Sequence, residues 1–395
     1  MPTDLDTLLH RAVDLGASDL HLKVGSYPVA RVHGHLAVVS DDKRLDHEDM
    51  VEMAASVMSS RHHQKIKDSE EVDLAYSVPG LGRFRCNVFQ QRGTIGMVLR
   101  VIPMNVRPID ELGLPLVLKK IAAEERGLVL VTGTTGSGKS TTLAAMIDYI
   151  NRTRPAHIIT IEDPIEYLHR DARSFVNQRE IGTDTRSFAF ALRSALRQDP
   201  DVILVGEMRD VETIETALHA AETGHLVFST LHTLDATETI NRIISVFPPH
   251  QQKQIRLQLA AVLKAAIAQR LIPNAERTAR VPAVEVLIAT ALIRDCIVDR
   301  DKTHLIQAAI GQGTSQYGMQ TFDQSIFALY SHGLITLEEA LRGASNVDEF
   351  KLKVQGISTT ADMSRDQMAG SVFGTASATA TRSKTAQPEI TRFGQ

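Results

Sequence analysis

Eight consecutive residues, Gly133, Thr134, Thr135, Gly136, Ser137, Gly138, Lys139 and Ser140, match the pattern G-x-x-x-x-G-K-[ST] at every fixed position. Glycine backbones can turn successive N–H groups toward one point, which makes a nest for an oxygen-rich anion. The lysine ammonium reaches the outer phosphates of a nucleoside triphosphate, and the Ser140 hydroxyl ligates Mg2+. With Thr141 next in line, the loop predicts an ATP and Mg2+ site. The bland alternative is a Gly/Ser/Thr-rich turn that binds nothing. The context speaks against it, because an apolar strand-like run, 128–131, leads in and a helical pattern, 140–150, leads out.

Two acidic groups follow short apolar runs. Glu207 ends the run 202–206, and Glu162, Asp163 and Glu166 follow the run 158–161, with Pro164 holding that chain out of a helix. In open α/β sheets ligands bind at the carboxyl ends of the strands. Two carboxylate groups at two adjacent strand ends suit two tasks, one beside Mg2+ and one orienting or deprotonating water. Taken singly, either could be a solvated loop residue; after a complete phosphate loop, the pair reads as functional.

The elements that must position these groups fall into two regions. In the first, 3–15 has the periodicity of an amphipathic helix, closed by Gly16. Strand-like runs occupy 17–24 and 29–39, the second folded around His33, Gly34 and His35. A helix is predicted over 47–66, then strands over 72–78, 82–91 and 94–102. This is a mixed α+β region with a mostly antiparallel sheet. The stretch 103–115 holds three prolines and reads as a linker. Beyond it, continuous apolar runs at 127–132, 156–161, 201–206 and 225–230 alternate with helical segments. That is the grammar of buried parallel strands with crossover helices, an α/β domain. Residues 238–272 and 303–341 read as mainly helical. From 357 the chain is rich in Ser, Thr, Ala and Gly and reads as a disordered tail. The predicted organisation is thus 1–104, a linker over 105–115, an ATPase domain over 116–356, and the tail 357–395. No tandem repeat is visible.

Composition narrows the class. The chain has 395 residues, 43% of them apolar, and a formal charge of −4, which is unlike the strongly basic footprint of a nucleic-acid binder. Two cysteines, Cys86 and Cys296, are too few for a disulfide framework and suit a reducing cytoplasm. No signal peptide precedes the first helix, and the apolar stretch 260–268 is short and broken by Lys264. A cytoplasmic protein that can dock on a membrane machine is expected. His33 and His35 lack further ligands, so no metal site is read there.

Taken together, the motifs resemble the secretion-superfamily hexameric ATPases, most closely their type IV pilus retraction branch, over residues 1–355. Four motifs occur in order: the phosphate loop; I-E-D-P-I-E at 161–166 followed by V-N-Q-R-E at 176–180; D-P-D-V-I-L-V-G-E-M-R-D at 199–210; and E-T-G-H at 222–225 with T-L-H-T at 230–233. G-A-S-D-L-H at 16–21 and G-R-F-R at 82–85 also look like this family. The resemblance implies an N-terminal α+β PAS-like domain, a RecA-like P-loop α/β domain with a helical C-terminal part, and a homohexamer. It implies Glu166 as catalytic base, Glu207 as support for Mg2+ and its water, and His232 beside the γ-phosphate with His225 assisting. One arginine among Arg83, Arg85 and Arg100 would reach an ATP site to offset transition-state charge. Period-two alternation puts Arg83 and Arg85 on one strand face, which suits a solvated face and a basic patch equally.

Two departures bear on these expectations. Thr134 stands where the family more often has Pro, and 291–298 only loosely echoes a C-terminal segment important for retraction; G-M-Q-T-F-D at 318–323 is kept. Pilus-assembly and type II secretion relatives carry a tetracysteine zinc module, which two isolated cysteines cannot build. They also have an extra N-terminal domain, for which this sequence leaves no room before Met1. Both points favour retraction, with the pilus platform inner-membrane protein as partner and a second retraction ATPase as a further one. An accessory retraction ATPase shares the motifs. A nucleotide-gated binding module with little turnover is a rival from another class, opposed by the pairing of Glu166 with Glu207. A small-molecule kinase would need an acceptor motif that the sequence does not display.

Overall fold

A computed structural model describes residues 4–58, 66, 71–103 and 105–356. The tail expected over 357–395 lies outside these residues, as do 59–65 of the helix expected over 47–66. The described part of that helix ends at Val57, with Met58 already extended.

In the first region Leu5, Leu8, Leu9 and Ala12 bury one face of α1 (Leu5–Asp14), and the Asp4 side chain caps it by accepting from the Thr7 N–H. Six strands follow: β1 (Ala17–Lys23), β2 (Val29–Val32), β3 (His35–Val38), β4 (Glu71–Val78), β5 (Gly82–Gln91) and β6 (Thr94–Ile102). They form one sheet in the order β3-β2-β1-β6-β5-β4, antiparallel at every junction. Two hairpins turn on residue pairs with positive φ, His33-Gly34 and Arg92-Gly93, the conformation that two-residue hairpin turns require. Phe84, Cys86 and Val88 join the core that α1 and α2 (His47–Val57) complete. Arg83 and Arg85 therefore face the other way, and Arg100 is the register partner of Arg85 on β6, so the three arginines share one face.

The stretch 103–115 is less free than its prolines suggest. It contains a 3-10 turn, Ile109–Leu112, and both Ile109 and Leu114 are buried in the core of the second region, beside α3 (Val117–Ala122).

The second region contains β7 (Gly127–Thr132), α4 (Lys139–Thr153), β8 (His157–Glu162), β9 (Phe175–Glu180), α5 (Phe188–Ala195), β10 (Val202–Val205), α6 (Val211–Glu222) and β11 (Leu226–Leu231). Then come α7 (Ala236–Ser245), α8 (Pro249–Val262), β12 (Leu263–Pro273), β13 (Arg280–Ile288), α9 (Ala291–Val298) and α10 (Ile306–Gln312). Short helices α11 (Thr314–Tyr317), α12 (Phe322–Ser331), α13 (Leu337–Gly343) and α14 (Val347–Val354) finish the described chain. The seven-stranded sheet runs β13-β12-β7-β11-β10-β8-β9, parallel from β12 to β9, with β13 antiparallel at one edge. An α+β unit is thus followed by a RecA-like P-loop α/β unit with C-terminal helices.

One expectation is corrected here. Residues 238–272 are helical only as far as Val262; Leu263–Pro273 is strand β12. Its alanines favour a helix in isolation, but the segment is sandwiched between β7 and β13, and tertiary pairing overrides propensity. Strands β9 and β13 were not expected either. β13 carries Pro282 and forms the sheet edge, where a proline costs no ladder bond on the outer side.

Candidate nucleotide site

The loop 133–138 joins the fully buried β7 to α4. Gly133, Gly136 and Gly138 all have positive φ, at 139°, 77° and 94°. Gly133 is the tightest: a Cβ there would lie 2.5 Å from the Gln269 carbonyl oxygen on β12. Thr134, Thr135, Gly136 and Ser140 are exposed, whereas Ser137 and Lys139 are buried. The Lys139 ammonium donates to the carbonyl oxygens of Gly133 and Thr134, both at 2.9 Å. Burial lowers its pKa, partly opposed by the negative charge of Glu207. Thr141 shares a hydrogen bond of 2.9 Å with the Tyr167 hydroxyl, which ties the first turn of α4 to the acidic loop after β8.

Strand order brings the remaining groups together. β11 lies between β7 and β10, and β10 lies beside β8, so the loops after these strands adjoin. Gly206 lets β10 end against β8: its N–H donates to the Ile161 carbonyl at 2.8 Å, and a Cβ would crowd that same oxygen at 3.2 Å. Glu207 emerges there. Its Oε2 accepts from Arg209 Nε at 2.7 Å and lies 3.6 Å from His232 Nε2 at the end of β11. Glu166 is exposed, and its backbone N–H donates to Glu162 Oε2 at 3.3 Å. Glu162 itself is buried. Burial pushes its carboxyl up, against bonds from the Thr160 hydroxyl, the Glu166 N–H and the Gln178 amide. Asp163 is also raised, by burial first and then by the charges of Glu207 and Glu180. The two acidic groups therefore divide into structural and free members: Glu162 spends its oxygens on the loop, whereas Glu166 stands open to solvent.

The three arginines differ. Arg83 Nη2 donates across the two units to the buried Glu180 Oε2 at 3.2 Å, and that same oxygen accepts the Ile165 N–H at 3.2 Å. Arg100 is held by Asp19 on the neighbouring strand at 2.8 Å. Arg85 lies 3.8 Å from Asp73, and its positive charge is felt by Asp163. His225 does not join this group. It precedes β11, its Nδ1 lies 2.9 Å from the Ala220 carbonyl, and a strand of six residues places it about 20 Å from His232.

Sequence reasoning overlooked Arg209, Glu180 and the Tyr167–Thr141 contact. Arg209 follows Glu207 by two residues, a visible charge pair, and Glu180 closes the V-N-Q-R-E motif at 176–180; its pairing with Arg83 and the Tyr167–Thr141 contact depend on packing and left no local signal. Beside the loop, a cavity of about 410 Å3 is lined by Arg107, Leu114, Thr142, Leu271, Pro282 and their neighbours. Its mixed apolar and polar walls have room for a heterocyclic base next to a phosphate site.

Comparison with known proteins adds four findings. The family model for type II/IV secretion system proteins matches residues 2–359. Pseudomonas aeruginosa PilT, described as a type IV pilus retractation ATPase, is 46% identical, covering 88% of this chain and all of that protein. PilU, a type IV pilus ATPase of the same organism, is 42% identical over 89% of this chain and 91% of its own. A crystal structure of the pilus retraction motor PilT with bound ADP superposes with a TM-score of 0.79 at 48% identity, covering 88% of this chain and 98% of that one.

Proposed function

Since the chain belongs to the type II/IV secretion system protein family, we propose that it is an ATP-hydrolysing motor that powers type IV pilus retraction, and with it twitching motility. The observation that carries the hydrolytic part is the convergence of Lys139, which opens the helix after β7, with Glu207 and His232, which follow the neighbouring strands β10 and β11. A phosphate-binding lysine would be enough for binding alone; the acidic and imidazole groups beside it suit turnover.

In this reading the loop residues Gly133, Thr134, Thr135, Gly136, Ser137, Gly138, Lys139, Ser140 and Thr141 hold the phosphates. Lys139 exchanges the two loop carbonyls for phosphate oxygens. The Ser140 hydroxyl and the Glu207 carboxylate are hard oxygen donors that fit Mg2+, which usually takes one or two protein oxygens and completes its shell with phosphate and water. Bound there, the ion neutralises charge developing on the phosphates. Glu166, unpaired by the loop that positions it, orients or deprotonates the attacking water. His232 braces the γ-phosphate side and keeps contact with Glu207. The base occupies the cavity beside Thr142 and Leu271. A homohexamer, in which an arginine from the N-terminal face of Arg83, Arg85 and Arg100 completes a site, fits the exposure of Arg85 and Arg100, whereas Arg83 is engaged by Glu180. The N-terminal unit is PAS-like in this account. Among the described residues no helix is long and apolar enough to cross a membrane. Contact with a pilus platform membrane protein would therefore bring the ring to the membrane.

The test is steady-state ATP turnover by the purified chain. Glu166→Gln keeps size and leaves an exposed position, and it is expected to lower kcat by roughly 100-fold or more, the usual scale for removing a general base. Glu162→Gln is expected to act on stability first. Equal rates for the parent and Glu166→Gln would end the hydrolytic reading. Complementation of a strain lacking the main retraction ATPase separates the principal role from an accessory one.

A further inference from the structure

One fully buried carboxylate takes no part in the nucleotide site. Glu285, near the middle of β13, has 0% of its surface exposed. A carboxylate is costly to bury unless both oxygens are paired, and here both are. Oε1 accepts from the N–H of Ala236, the first residue of α7, at 2.9 Å. Oε2 accepts from the side-chain amide of Gln307 on α10 at 3.0 Å.

Its place matters more than its burial. Ala236 closes the loop 232–235, which begins with His232. Behind that loop the Thr233 and Thr239 hydroxyls share a hydrogen bond of 2.6 Å. The Thr239 hydroxyl lies 3.4 Å from that of Thr132, the last residue of β7 before Gly133. The His232 loop is thus tied to the root of the phosphate loop on one side and to Glu285 on the other. The outer edge of β13 is gripped at the two neighbours of Glu285. The Val284 N–H donates to the Ser325 hydroxyl at 3.0 Å, and its carbonyl accepts from the Gln320 amide at 2.6 Å. Val286 and Gln320 exchange two backbone hydrogen bonds, at 2.8 and 3.1 Å. Three consecutive residues of one strand therefore join the γ-phosphate side of the site to α10, α12 and the turn between α11 and α12.

We propose that Glu285 is a positioning residue that couples the His232 loop to the C-terminal helices, so that nucleotide-dependent movement of the loop is passed to residues 306–325. This rests on the reading of 133–140 and His232 as the nucleotide site. The contacts define a junction with two halves, the bond to the Ala236 N–H and the bond to Gln307; the second can be cut alone and both together, without touching a phosphate-binding residue.

The experiment uses the full chain and three variants. Gln307→Ala cuts the outer half at a largely exposed residue. Glu285→Ala cuts both halves. Glu285→Gln can restore both: its carbonyl accepts from Ala236 and its amide donates to Gln307 once that amide turns over. Amide hydrogen exchange of 306–325 is measured with and without Mg2+-ADP, together with kcat and KM for ATP. In the parent, nucleotide is expected to change exchange in 306–312. In Gln307→Ala and Glu285→Ala that response shrinks, and kcat falls by roughly three- to tenfold with KM within twofold, a coupling-sized effect. Glu285→Gln recovers both. A purely packing role would lower thermal stability and leave the nucleotide response of 306–312 intact in Gln307→Ala, which would overturn the proposal. So would a parent with no nucleotide response in 306–325. A parent that binds nucleotide without turnover would instead defeat the hydrolytic reading, and the exchange data would still decide the coupling.

Discussion

Gly133 and Gly136 lie in one loop under different constraints, and alanine at each should give losses of different size. At Gly136 an added Cβ meets nothing within 4 Å, so the cost is that of a left-handed backbone, about 1–2 kcal/mol. At Gly133 the backbone φ of 139° is one that L residues rarely adopt, which costs about 1–3 kcal/mol. There the Cβ also falls 2.5 Å from the Gln269 carbonyl and 2.5 Å from the Ser137 hydroxyl. The backbone carbonyl does not yield readily. Gln269 belongs to a strand paired on both sides, and its side chain donates to Thr142 at 2.8 Å. The Ser137 hydroxyl can rotate away, but its Cβ, 3.2 Å from the added atom, moves only with the loop backbone and the N–H groups meant for phosphate. Overpacking of this kind adds about 1–3 kcal/mol. If the loop relieves the strain by rearranging, the cost is taken from nucleotide affinity at about 1.4 kcal/mol per tenfold. Gly136→Ala should then weaken binding about tenfold and Gly133→Ala roughly 100-fold or more. A titration of fluorescent ADP at fixed Mg2+, with thermal midpoints in the absence of nucleotide, measures both. Binding by Gly133→Ala within threefold of the parent, at an unchanged midpoint, would refute the close approach of β12 to the loop.

Two further outcomes follow from buried titratable groups. Burial pushes the His169 imidazole down to about 4 from the 6.5 of an exposed histidine. The folded state thus disfavours the proton that the unfolded chain takes up below pH 6.5; the contribution is complete above 6.5 and is lost as pH falls toward 4. His169→Gln should flatten the dependence of thermal midpoint on pH across that window, and parallel curves for the two proteins would contradict the assignment. Arg83→Ala leaves the Glu180 carboxylate buried without its cation, a loss of about 1–3 kcal/mol. Arg83→Ala combined with Glu180→Gln should recover part of it in urea unfolding; an additive double variant would show that the contact between the units contributes nothing.

Much of the site was legible because its chemistry constrains residue type. Only glycine suits φ values of 77°, 94° and 139°, and a lysine and a hydroxyl must follow at fixed places. Glu207 and Glu166 could be picked out because strands in such sheets present their carboxyl ends to the ligand. What stayed hidden depended on partners distant in sequence. The alanine-rich β12 has helical propensity, and only its neighbours β7 and β13 make it a strand. The two histidines of the fourth motif look equivalent as letters, yet they sit at opposite ends of β11. Glu162 and Glu166 belong to one acidic cluster, and only packing separates the buried brace from the open carboxylate. Arg83 is committed to Glu180, a contact spanning 97 residues that no local pattern encodes.

The strand order explains why one loop motif becomes a hydrolytic site. In sequence, the phosphate loop is followed by the acidic loop after β8, then Glu207, and last His232. In space β11 inserts between β7 and β10, so the last motif to be made sits between the first and third. His232 then contacts Glu207, and Thr233 and Thr239 reach back to Thr132 at the root of the phosphate loop. On the other flank β12 presses against Gly133, which is why that position tolerates no side chain. The phosphate loop is thus held from both sides by strands that arrive later in the chain. β12 carries on its far side β13 and, through Glu285, the C-terminal helices. In the proposed coupling, a movement of the loop on binding phosphate meets the His232 loop on one flank and, on the other, a strand pair that holds the C-terminal helices at Val284 and Val286. A motor needs a path of this kind from its phosphate site to its outer elements, and the contacts from Thr132 through the His232 loop to Glu285 and Gln307 supply one.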